Sequence, residues 1–154
     1  MFYKKTKFHR RVTELGQKRY FGHQCIAPFV SMEGVLSEDE SNVSIPDKIE
    51  GGTFGLNDMF IGRDRYLWLE KEVVFPKHME GCEIVGLFNF GETGPGANRG
   101  FESLLYLDRH PYQGVDTNHK EVVFSDMGGK KATLSFMLWT GLEGGGAKRT
   151  FYHQ

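Results

Sequence analysis

The hydrophobic rhythm of the chain changes near Tyr66. Before it, Phe8, Val12 and Leu15 recur at helical spacing among Lys and Arg, which predicts a short amphipathic helix from Thr6 to about Tyr20. Gly16 falls inside that stretch and either ends the helix early or weakens it, because Gly costs about 1 kcal/mol against Ala in a helix interior. "CIAPFV" fits a short strand, and "EGVLSEDESNVSIPDKIEGGTFG" is acidic, polar and Gly-rich, as a long surface connection would be. From Tyr66 onward, "YLWLEKEVVF", "CEIVGLFNF", "ESLLYLD", "EVVFSD" and "ATLSFMLWT" are β-branched and aromatic runs bounded by Gly, Pro, Asp and Asn. Strands so closely spaced, with no helical segment between them, predict a mainly β protein: an antiparallel β-sandwich preceded by a short helix.

Composition narrows this further. The 154 residues fit one domain, with the helix and its lead-in over 1–22 and the sandwich over 23–154. Twenty Gly, thirteen Phe and a formal charge of -1 suit a turn-rich β protein. The near-zero charge argues against a general nucleic-acid binder, which carries a basic excess. "KKTKFHRR" is a local exception, read as the solvated face of the first helix rather than an arm for nucleic acid or membrane. The N-terminus lacks the apolar stretch of a signal peptide, and no window approaches the roughly 20 apolar residues of a membrane span, so a cytoplasmic location is expected. Cys25 and Cys82 form no redox or zinc motif and are expected as free, buried thiols.

Self-contained chemistry is hard to find. "GLEGGGAK", Gly141 to Lys148, follows an expected strand as a phosphate-binding P-loop does, but Ala147 stands where Lys is required and Lys148 is one place late. "GETGPGANRG", Gly91 to Gly100, reads as a loop connection. His9, His23, His78, His110, His119 and His153 show no metal-ligand spacing, and no serine sits in a nucleophile elbow. Asp108 and Asp116 would need to lie about 5 to 9 Å apart to hydrolyse a glycoside, and Asp is also what turns select. Trp68 and Trp139, with Tyr66, Tyr106 and Tyr112, would make either a platform for sugar faces or a core.

One stretch carries a more specific signal. "LYLDRHPYQGVDTNHKEVVF" resembles the D-G-x-P-x-x-G-x-D-x-N-H signature of the N-terminal region of glycoside hydrolase family 38, the class II α-mannosidases. Asp108, Pro111, Gly114, Asp116, Asn118 and His119 fall on the pattern, whereas Arg109 replaces the usual Gly and implies a different first turn. "DRYLWLEKEVVFP" and "LSFMLWTGLEGGG" resemble other segments of the same region in the same order, so the likeness spans about Tyr66 to Gly146.

The resemblance implies a galactose-binding-like jelly roll placed before a much longer catalytic barrel. The zinc motif and nucleophile of that barrel have no counterpart here, so the expected role is a non-catalytic accessory domain that docks against its own catalytic domain. No cofactor is expected in this segment, and zinc belongs to the missing part. The resemblance has Asp108 and Pro111 shape the hairpin, Gly114 permit close backbone approach, and Asp116, Asn118 and His119 hydrogen-bond a loop at an interface. The alternative is a carbohydrate-binding module gripping a mannose-containing oligosaccharide through Trp68, Tyr112 or Trp139. Exposed tryptophans would favour that alternative, and buried ones the scaffold. An apolar face left open by the missing barrel predicts self-association.

Overall fold

Each of the five aromatic and β-branched runs forms a strand, because alternate side chains of each have an apolar surface to meet. The computed structural model describes residues 3–34, 44–91 and 101–141. In chain order these hold α1 (Tyr3–Gln17), β1 (Phe29–Gly34), β2 (Gly52–Phe54), β3 (Tyr66–Val74), a 3-10 turn (Lys77–Met79), β4 (Ile84–Leu87), β5 (Glu102–Leu107), β6 (His110–Asp116), β7 (Glu121–Phe124) and β8 (Lys131–Trp139). Both Gly-rich loops lie almost wholly outside the described residues.

All pairings are antiparallel. One sheet has six strands in the order β2-β1-β3-β8-β5-β6, and a second pairs β4 with β7. The long β3–β8 pairing, Tyr66 with Trp139 through Val74 with Lys131, is the spine of the larger sheet. The arrangement is sandwich-like, because one aromatic core joins the two sheets. Leu67 and Leu69 of β3, Leu105 of β5, Val115 of β6 and Leu134, Phe136 and Leu138 of β8 point inward and meet Val122 and Phe124 of β7. Phe88 fills the space between, 4.7 Å from the Phe136 ring and 6.5 Å from Phe124. Ring pairs of this kind contribute about 0.5–1.5 kcal/mol each beyond their buried area. Gly86 has to be glycine, since a Cβ there would stand 2.5 Å from Phe88 and 2.8 Å from Phe124.

The outer face of the larger sheet has its own apolar cluster. Trp68 and Tyr106 are buried beneath Ile49, with Met32, Ile45, Leu104 and Met137 packed around them. A strap of residues 44–50 therefore crosses the sheet on the side away from the main core.

Three expectations need correction. β6, "HPYQGVD", is not among the strand runs expected from the sequence, yet it pairs with β5 from Glu102–Asp116 to Leu107–His110. Pro111 is tolerated because β6 is an edge strand whose outward N–H is not needed. Gly52–Phe54, expected within a loop, forms β2 against β1. Cys25 is exposed and Cys82 half-buried rather than both enclosed, and both are free. The helix appears as expected but starts earlier, and its apolar stripe is not covered by the sandwich: Phe8 is 67%, Val12 51% and Leu15 68% exposed.

Candidate functional site

The residues of the signature divide between the two ends of β6. At the first end, Asp108 and Arg109 form the two-residue turn of the β5–β6 hairpin, both left-handed with φ of 48° and 68°. Such a turn matches the twist of its strands and favours Asp then Gly, so an Arg in the second place carries backbone strain. Asp108 ties the turn to β8: its N–H donates to Thr133 O at 2.9 Å, and its Oδ1 accepts from Thr133 N at 2.8 Å. His110 Nδ1 donates to Asp108 O at 2.8 Å.

The Arg109 guanidinium reaches back across the sheet. It donates to the carbonyls of Ile45 (3.3 Å), Pro46 (2.7 Å) and Asp47 (3.4 Å), clamping the strap that covers Trp68 and Tyr106. Sequence reasoning noticed this residue only as a departure from the pattern. The available signal was its position, since a long cation at a left-handed site persists when its side chain is held.

At the other end of β6, Asp116 organises the turn into β7. Its Oδ1 accepts from the backbone N–H groups of Asn118 (2.7 Å) and His119 (2.8 Å), and Oδ2 accepts from His119 Nδ1 at 3.0 Å. Asp116 N donates to His119 O at 3.2 Å, closing the loop. Partial burial works against the charged carboxyl, but the His119 ring and the two backbone donors outweigh it, so its pKa lies below the ordinary 3.8. Asn118 and His119 are held in place with their side chains exposed to solvent.

β6 runs from His110 to Asp116, and its six steps of about 3.3 Å place the two aspartates roughly 20 Å apart. That separation rules out the carboxylate pair a glycosidase would need. Gly114 lies mid-strand opposite Leu104, and the nearest atom to a Cβ built there is Ser103 O at 3.9 Å. No close approach is made to it within the described residues.

The aromatic residues do not form one platform. Trp68 is 4% exposed and tilted against Tyr106 at 5.9 Å, and burial pushes the Tyr106 hydroxyl pKa up. Tyr112 is the residue left unpaired at the register shift between β5 and β6; it stacks on Phe124 of β7 at 5.8 Å and donates its hydroxyl to Val123 O at 2.7 Å. Trp139 is half-buried, stacks with Tyr66 at 6.3 Å and donates Nε1 to Asp64 Oδ1 at 2.9 Å. Register places Tyr66, Trp139, Glu102 and Asp116 in one row across four strands.

An open recess of about 370 Å³ lies elsewhere, lined by Pro28, Val30, Thr53, Glu70, Glu72 and Thr133 among others. Among the described residues, no three His, Cys, Asp or Glu side chains converge as a metal site, and no helix is long and apolar enough to cross a membrane. Compared with family models, curated proteins and solved structures, the chain matches none.

Proposed function

We propose that this chain is a non-catalytic accessory domain of a family 38 α-mannosidase, a galactose-binding-like jelly roll that docks against its own catalytic domain through the Asp116–His119 turn. The observation that carries the reading is the use of Asp116. Its carboxylate is committed to two backbone N–H groups and the His119 ring, so it organises a loop rather than reacting. Asn118 and His119 are thereby presented exposed and pre-ordered, and polar groups held this way lose little side-chain entropy when a partner accepts them. The burial of Trp68 supports the same reading, because it removes one of the two tryptophans from any sugar platform.

In this reading, zinc and the retaining hydrolysis of terminal α-mannosides belong to the catalytic domain. The protein works in the cytoplasm, without contacting nucleic acid or membrane. The test pairs an α-mannosidase assay of the chain with its titration by mannose and α-mannobiose, followed by amide NMR. No activity and no saturable shifts are expected. In the whole enzyme, His119→Ala should weaken domain association while leaving the accessory domain folded; unchanged association and activity would end the docking reading.

One observation favours the module as a second reading. Trp139 keeps partial exposure beside Tyr66, in the row that also holds Glu102 and Asp116, which is the mixture of ring faces and acceptors that sugars require. Saturable shifts centred on that row would transfer the role from scaffold to carbohydrate binding.

A further inference from the structure

Helix α1 and the outer face of the β4–β7 sheet are both apolar stripes rimmed by charge, and the charges have opposite sign. On α1 the exposed Phe8, Val12 and Leu15 share one side. At 3.6 residues per turn, Lys4 and Arg11 border that stripe on one flank, and Lys5 and His9 on the other. Five cations against one carboxylate give α1 a charge of +4, which leaves -5 for the rest of a chain whose total is -1. The first turn contains no acidic residue and begins with lysines that oppose the helix dipole. A helix of 15 residues in this state is marginal in water by itself and gains stability from an anionic, apolar partner surface.

The β4–β7 sheet offers such a surface. Ile84, Val122 and Phe124 pack into or against the core, so Val85, opposite Val123, and Leu87, opposite Glu121, face outward. Leu87 is 50% and Val123 39% exposed, and Tyr112, 43% exposed and bonded to Val123 O, widens the patch. Glu83 precedes Val85 by two residues on the same face and has no cationic partner among the described residues. Glu121, at the other end, pairs with Arg19 at 2.6 Å, so the root of the helix is anchored beside this face. Within one chain, however, the stripe of α1 lies in solvent.

We propose that α1 of one copy packs along the β4–β7 face of a second copy and that the second copy returns its own helix, giving a closed, two-fold dimer by exchange of arms. Reciprocity makes the two contacts identical and leaves no open end for a fibre. A helix-to-helix dimer is disfavoured, since it would bring together two elements of charge +4. A bilayer is disfavoured as well, because Glu121 beside the helix root would meet anionic headgroups. The apolar stripes supply affinity, and the rim charges set register and make the association sensitive to salt.

Sedimentation velocity on the whole chain over a range of concentrations, at low and high ionic strength, tests this. A dimer is expected, dissociating more readily in high salt. Phe8→Glu and Leu87→Glu, both at exposed positions, should each weaken it by at least about tenfold, with circular dichroism confirming that the sandwich is intact. A mixture of the two variants should regain a heterodimer, because each supplies the surface the other has lost. A monomer at every concentration overturns the proposal, and so does a dimer indifferent to Leu87→Glu. A monomer that binds phosphatidylglycerol vesicles through α1 also overturns it, placing the stripe on a bilayer.

Discussion

At one end of β6 the side chains of the Asp108–Arg109 turn bond to distant parts of the chain; at the other end the Asp116–His119 turn is closed by bonds among its own residues. The first turn contains two left-handed non-glycine residues, and it persists because Asp108 bonds to Thr133 and Arg109 to three strap carbonyls. The second has no residue at positive φ. Its half-buried Asp116 carboxylate is satisfied by two backbone N–H groups and the His119 ring, and Asn118 and His119 are left exposed. The bonds of Asp108 and Arg109 reach distant segments and so support the architecture, whereas those of Asp116 stay within its own turn and leave the Asn118 and His119 side chains at the surface. The residues of one signature thus divide between a turn tied to distant parts of the sheet and a turn closed by its own bonds, which spacing along the chain does not reveal.

The contrast makes its largest prediction at Asp108. Asp108→Ala removes a charge-assisted acceptor for Thr133 N and should lower unfolding stability by about 2 kcal/mol in urea titration. A change under about 0.5 kcal/mol, the usual range for surface substitutions, would place the two turns on the same footing.

Arg109 comes next and sharpens the comparison through two variants. Arg109→Ala keeps the left-handed strain and loses the clamp, and should cost about 1 to 2 kcal/mol. Arg109→Gly also loses the clamp but relieves the strain, and should be more stable than the alanine variant by about 1 kcal/mol. In both, amide hydrogen exchange over 44–50 should accelerate. Unchanged exchange there would mean that Ile45 and Ile49 hold the strap without the guanidinium.

At the opposite turn, Asp116→Ala should cost about 1 kcal/mol, as the loss of a capping acceptor does. Its pH dependence has a definite sign. The folded carboxyl titrates below its ordinary value, so its stabilisation is complete above the unfolded pKa of about 3.9 and disappears as pH falls through the lower folded value. Stability measured from neutral pH downward should therefore decline more steeply in the native chain than in Asp116→Asn. Parallel curves would show that the turn does not depend on the charge.

The smallest effect is expected at His119. His119→Ala should change stability by no more than about 0.5 kcal/mol, since the ring is exposed and the backbone N–H still reaches Asp116. A larger loss would make this turn as structural as the first.

Part of this was legible in advance. The β class, the helix and the five principal strands follow from periodicity because inward positions alternate along each strand and recur every three or four residues along the helix. The aspartate-led turn at Asp116 was legible for a similar reason, as its bonds reach only two and three residues away. β6 was not, because its strand state comes from the ladder with β5 rather than from its own Pro- and Gly-containing sequence. The burial of Trp68 was not legible either. The strap that covers it is some twenty residues earlier in sequence and is held by a residue some forty later.

By itself, then, the sequence determined the local matters: which segments are apolar on alternate sides, which turns an aspartate can close, and that a basic stripe flanks Phe8, Val12 and Leu15. Only the tertiary structure decided which aromatics are covered, that Asp108 and Asp116 stand far apart, and that the helix stripe faces solvent. The physical reason is range. Periodicity and turn chemistry act over a few residues, while burial and strand pairing depend on surfaces brought together by segments distant in the chain.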